Sequence, residues 1–377
     1  MTHAFELLDT LATLSAAPSV TPIAAPSAID QIGFELGWDH AHHGLPPAAP
    51  YDCQPSALRD GLVSGRAAFG ARTLRATPAV RQWLQLRLHA WLRGRSVELF
   101  QVTPNFLSQL LVSHCPITRA ALAGPLACGQ EPSFDRVRND AGYAAGNLVV
   151  MSRKANHAKA GFGLRDAQQF VRRLEAGGLN DQALGATGVA GLTAVQWSRV
   201  ATLCSFVTPL PHHEACDLPL LLLPPNRLRL FNPAQALQAF VSRQWLKPGW
   251  SQRVARFEDL LPGIPLQRAF KAVFMALLPR VLEAGRLLEP QQARWAIEDA
   301  WRHPGVLQRW TTFARQLTAA QCEDLVRRAA ARQLGTSRVE CVDDLRATEG
   351  WGFESRGYVP VQRVAPKVSP AQLGVPV

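Results

Sequence analysis

"EPSFDRVRNDAGYAAGNLVVMSRKANHAKAG", Glu131 to Gly161, reads as strand, broad turn, strand and helix within a single short stretch. Ser133–Val137 and Leu148–Ser152 are runs compatible with β-structure. Between them Asn139, Asp140, Gly142 and Gly146 supply the turn chemistry of a wide hairpin. Ser152 is a natural N-cap, because its hydroxyl can accept a backbone N–H of the first helical turn. Arg153 to Ala160 continue as helix, and Gly161 offers a left-handed stop.

Upstream of this stretch the chain is basic and helical. Between Arg66 and Arg95 lie seven arginines and no acid. "TPAVRQWLQLRLHAWLRGR" opens on Thr77 as N-cap with Pro78 at the first helical position. Val80, Leu84, Leu88 and Trp91 recur at three- and four-residue steps and make one apolar face. Gly94 is a natural stop, and Thr103–Pro104 repeats the same opening for a shorter helix. Further upstream, residues 3–15 suit a short amphipathic helix, followed by the Pro-rich "APSVTPIAAPS". "IDQIGFELGWDHAHHGLPPAAPYD" reads as loop, with a strand near Ile32–Leu36.

Downstream the pattern is helical almost throughout. Helices are expected over Leu192–Phe206, Pro233–Leu246, Gln252–Leu261, Leu266–Gly285, Pro290–Arg302, Val306–Leu317 and Ala319–Leu334. Trp245, Trp250, Trp295, Trp301 and Trp310 fall at helical spacing and are read as core. "GGLNDQALGATGVAGL" marks a division near residue 185 by its glycines. The reading gives four segments. They are an N-terminal helix and linker (1–30), a basic helical region (31–185), a helical C-terminal domain (186–351) and a loose Pro-containing tail (352–377).

The 377 residues carry a net charge of +11, most of the excess as Arg, whose planar fork suits phosphate. DNA is therefore the expected partner. The seven cysteines are scattered and contain no CxxC pair, which excludes a secreted disulfide framework. The first twenty residues carry Glu6 and Asp9 and lack a basic leader, and an apolar run such as "LPLLLLPP" is too short to span a bilayer. A cytoplasmic protein with no membrane partner is expected.

The order Ser133, Asp135, Arg136, Asn139, Gly142, Tyr143, Gly146, Asn147 and Asn156 resembles the ββα-metal, or HNH, endonuclease finger in its phage and bacterial variants. The resemblance covers residues 115–161, with the finger itself at 131–161. The helical pattern of the chain gives a fold class that is mainly α, and the resemblance implies one embedded small ββα finger within it. It also implies a divalent metal ion (Mg, Mn, Ni or Zn) held by Asp135 and by Asn156 or His157, with Asn147 pinning the loop. The expected activity is metal-dependent hydrolysis of phosphodiester bonds in DNA. The pattern departs at Arg136, which stands where the resembling family has its general-base His. A guanidinium stays protonated and cannot take a proton from water, although it can hold phosphate. Either His157 or His114 supplies the base, or water reacts without one, or the finger is a non-catalytic DNA-binding or structural module. Arg136, Arg138, Arg153, Lys154 and Lys159 in the finger, with Arg81 and Arg87 upstream, are the candidate nucleic-acid contacts.

Other clusters read as structural. "CPITR" at Cys115 resembles a knuckle leading into the finger, but Cys115 and Cys128 are not the two close pairs that a structural zinc needs. "WDHAHHG" (Asp39, His40, His42, His43) reads as a polar loop, and "PHHEACD" lacks metalloprotease order.

Overall fold

The computed structural model describes residues 28–53, 55–123, 129–176, 188–223, 229–287, 289–334 and 344–352. The expected helix at 3–15, Cys128 and nearly all of the tail from 352 lie outside the described residues. The chain divides into two compact units between Ala76 and Thr77.

The first unit is a helical hairpin of α1 (Ala28–His42) and α2 (Ala57–Phe69). The strand expected near Ile32–Leu36 is instead part of α1. Small residues set this: a Cβ on Gly37 would meet the Leu62 nitrogen at 2.7 Å, and one on Gly61 would meet the Phe34 carbonyl carbon at 2.7 Å. The two backbones press together where side chains are missing, and that contact stabilises helix over strand. The histidines read as loop also lie on α1 or at its end. His40 is buried with Nδ1 2.9 Å from the Leu45 carbonyl oxygen, and His42 stacks on Phe69 at 4.1 Å.

The second unit begins with α3 (Pro78–Leu92) and α4 (Pro104–Leu110). Thr77 and Thr103 cap them, accepting from the backbone N–H of Val80 and Phe106 at 3.3 and 3.2 Å. The hairpin β1 (Pro132–Arg136) and β2 (Leu148–Ser152) is antiparallel, with Asp135 opposite Val149. Ser152 then caps α5 (Arg153–Lys159), accepting from Ala155 at 3.2 Å. The stop falls one residue before the expected Gly161. Ala160 takes a positive φ of 43°, and its N–H closes on the Asn156 carbonyl oxygen.

The rest is helical. α6 (Leu164–Ala176), α7 (Ala194–Phe206), α8 (His212–Cys216), α9 (Pro233–Trp245) and α10 (Trp250–Glu258) are followed by α11 (Ile264–Ala284), α12 (Pro290–Arg302), α13 (Pro304–Ala314), α14 (Ala319–Ala331) and α15 (Asp344–Thr348). The molecule is thus mainly α with one small ββα element. One hydrophobic core runs from Cys115 to Trp351, across the glycine-rich segment near 185. Trp245, Trp301 and Trp310 are buried in it, with successive ring centroids 5.9 and 5.3 Å apart, whereas Trp250 and Trp295, also expected in the core, are half-buried. "PHHEACD" folds as α8, where burial pushes the Cys216 thiol up to about 12. Among the described residues, no helix is long and apolar enough to cross a membrane.

Candidate functional site in the finger

Alternation along β1 turns Asp135 inward, leaving it 5% exposed. Lys159, in the last turn of α5, is fully buried and meets it, Nζ to Oδ2, at 2.9 Å. The same ammonium donates to the Arg136 carbonyl oxygen at 2.9 Å. Burial pushes the Asp135 carboxyl above its ordinary value, while Lys159 and then Arg136 pull it back. The Cys204 thiol on α7 lies in the same interior, where burial pushes it up to about 11.

Asn147 is fully buried and pins the turn. Its Oδ1 accepts from the Arg138 N–H at 2.9 Å, and its Nδ2 donates to the carbonyls of Arg138 and Gly142 at 3.0 Å each. Arg136 is used inside the same loop. It donates to the carbonyls of Asn139 and Ala141 at 3.2 and 2.8 Å, and its guanidinium lies 5.1 Å from the Tyr143 ring centroid. Asn156 donates to Ser133 Oγ at 2.7 Å and to the Phe134 carbonyl oxygen at 3.4 Å. His157 is exposed on the outer side of α5. His114 sits away on the knuckle, 3.0 Å from Ser113 Oγ and edge-on to Trp295 of α12. The structure thus brings Asp135 to Lys159 and Asn156 to Ser133. Among the described residues, no three His, Cys, Asp or Glu side chains form a group that could hold a metal ion.

The candidate nucleic-acid contacts divide between surface and interior. Arg153 and Lys154 are exposed, and Arg153 lies 3.9 Å from Glu131. Arg138 forks onto Asp140 at 2.8 and 3.0 Å. Arg81 is exposed, whereas Arg87 is 3% exposed and its guanidinium lies 4.3 Å from the Trp83 ring centroid. Lys159 has no surface to offer a phosphate.

Residues far along the chain hold the hairpin turn. Gly142 donates its N–H to the Trp351 carbonyl oxygen at 2.9 Å, and the Trp351 indole donates to Ala145 at 3.0 Å. The Ala145 N–H donates to the Glu98 carboxylate at 3.0 Å, which burial pushes above its ordinary value. A Cβ on Gly142 would meet Ser96 Oγ and come within 2.7 Å of the Trp351 carbonyl oxygen. Gly146 has φ of 86° with the Arg229 side chain packed on it, so both glycines are needed for backbone shape and close approach. The knuckle is tied to α12 by Arg119, 2.7 Å from Asp299 and 3.2 Å from Glu298. Cys115 is buried there. Burial raises its thiol, but hydrogen bonds from Ser152 and Thr118 outweigh this and lower it.

Sequence reasoning missed Lys159 as the partner of Asp135. The signal was present: Ala155, Ala158 and Lys159 fall on the face of α5 that meets the hairpin. Trp351, Arg229 and Glu98 had no local signal at all. Comparison with protein-family models, with curated proteins and with solved structures finds no match for this chain. The class defined by the fold is a mainly helical protein with an embedded ββα element.

Proposed function

We propose that this is a nucleic-acid-binding protein whose divergent HNH-like finger holds DNA without cutting it. The observation that carries this reading is the buried pair of Asp135 and Lys159. A divalent ion at Asp135 would sit against an ammonium 2.9 Å from the same oxygen, and like charges that close repel strongly in a dry interior. The donor set suits the lysine and not a metal. Arg136, in the general-base place, cannot accept a proton and is hydrogen-bonded within the loop. The finger offers two cations outward, Arg153 and Lys154, both exposed in a chain of net charge +11. Such a surface binds phosphate with the salt dependence of counterion release.

The competing reading, a metal-dependent endonuclease using Asp135, Asn156 and His157, is separated by one assay. Supercoiled plasmid is incubated with the protein and Mg, Mn, Ni or Zn, beside Asp135→Ala, and binding is followed across a salt series. The expected result is salt-sensitive binding with no nicking in any metal. Metal-dependent nicking that disappears in Asp135→Ala would overturn the proposal and establish the nuclease.

A further inference from the structure

Helix α3 is amphipathic in an unusual sense. Its inner face buries Val80, Leu84, Leu88 and Trp91, and takes Arg87 inward as well. Its outer face presents Arg81, Gln85 and His89, all exposed, at four-residue steps, and the series ends on exposed Arg93 at the C-cap. Each can donate a hydrogen bond, and no acid occurs between residues 66 and 95 to neutralise them. At 3.6 residues per turn and 1.5 Å rise, the stripe runs about 18 Å along the axis within an arc of about 120°. A solvated face chosen only for solubility would mix both signs, as the α14 face does with Asp324 beside Arg327 and Arg328.

We infer that α3 is a groove helix for double-stranded DNA, with Arg81 and Arg93 on phosphates and Gln85 and His89 turned toward base edges. This rests on the nucleic-acid reading above and names the surface and the form of nucleic acid. The B-form major groove is about 12 Å wide and admits a helix, and a pair of cations about 18 Å apart is spaced to reach the phosphates on its two sides. Gln pairs bidentately with adenine in that groove, and an imidazole can donate to or accept from a base edge. The deep, narrow major groove of duplex RNA excludes a helix, so DNA is the fitting partner. The helix is held firmly for the task. Thr77 caps its start, its inner face is packed, and the Trp83 indole donates to the Val102 carbonyl oxygen at 2.8 Å.

The test uses the full chain and fluorescence anisotropy with a labelled duplex DNA, a duplex RNA of equal length and a salt series. Arg81→Ala/Arg93→Ala is compared with Arg268→Ala/Lys271→Ala, a matched loss of charge from exposed positions on α11. For the α3 variant the salt slope on DNA should fall by about 1.8, that is about 0.9 per lost phosphate contact, with affinity reduced about tenfold or more. The α11 variant should match the wild type, and thermal melts of both should be unchanged. An α3 variant with the wild-type slope overturns the groove helix while leaving DNA binding in place. Equal dependence on Arg81 and Arg93 for duplex RNA overturns the groove placement. A wild-type chain with no salt-dependent affinity for either duplex removes the nucleic-acid reading itself.

Discussion

In the finger, Asp135 and Lys159 both turn inward and meet each other, and Arg136 donates to the loop it belongs to. In α3, Arg87 turns inward onto Trp83, while Arg81, Gln85, His89 and Arg93 turn outward. The two regions use the same kinds of side chain for different ends. The charges of Asp135 and Lys159 are consumed by the architecture of the finger, whereas Arg81 and Arg93 of α3 are left on the surface. The comparison shows that a basic residue count is a poor guide to binding until the helical face of each residue is known.

The sharpest way to break the comparison is to remove the inward cation. Lys159→Met leaves a buried carboxylate without a partner, and breaking a buried pair in this way costs about 3–5 kcal/mol. In a unit of this size that is a fall of roughly 5–8 °C in Tm, measurable by calorimetry. Asp135→Asn/Lys159→Met should recover most of the loss, because neither charge is then stranded. A Lys159→Met variant as stable as the wild type would mean that the pair is not what closes the finger.

A second measurement uses the pH dependence of the same variant. Burial already raises the Asp135 carboxyl, and removing Lys159 removes the first cation that pulls it down. Its folded pKa then stands further above the unfolded value of about 3.9. Between those two values the folded state binds more protons than the unfolded state, so stability rises as pH falls. The deficit of Lys159→Met relative to wild type should therefore shrink in urea denaturation as the pH is lowered from neutrality toward the unfolded value. A deficit constant across that range would mean that the carboxyl finds another partner.

What could be read from the sequence follows the range of the interaction. Thr77, Thr103 and Ser152 were legible as caps because a cap is a side chain bonding an N–H three residues away. Asn147 was legible as a pin because both its partners, Arg138 and Gly142, lie within the same hairpin. The strand expected at Ile32–Leu36 failed for the opposite reason. What decides α1 is the close approach of α2, marked by Gly37 and Gly61, and those small residues carry no hydrophobic period. Lys159 was read as a surface cation because long charged side chains are rarely fully buried. Trp351 and Arg229, which hold the turn from more than eighty residues away, follow only from the tertiary structure.

The smallest expected effect bears on which of the two regions does the holding. Arg153→Ala/Lys154→Ala alters two exposed side chains, of which Arg153 makes a long 3.9 Å ion pair with Glu131. Stability should change by less than about 0.5 kcal/mol. The DNA salt slope should nevertheless fall, by at most about 0.9 for each residue that lies on a phosphate. If this slope falls and the Arg81/Arg93 slope falls too, both regions track one backbone, and the quadruple variant should lose the sum. If only α3 matters, the outer side of the finger is away from the duplex. The buried pair then serves to build a rigid wall behind α3, since Leu148 and Val150 of β2 share a hydrophobic cluster with Leu86.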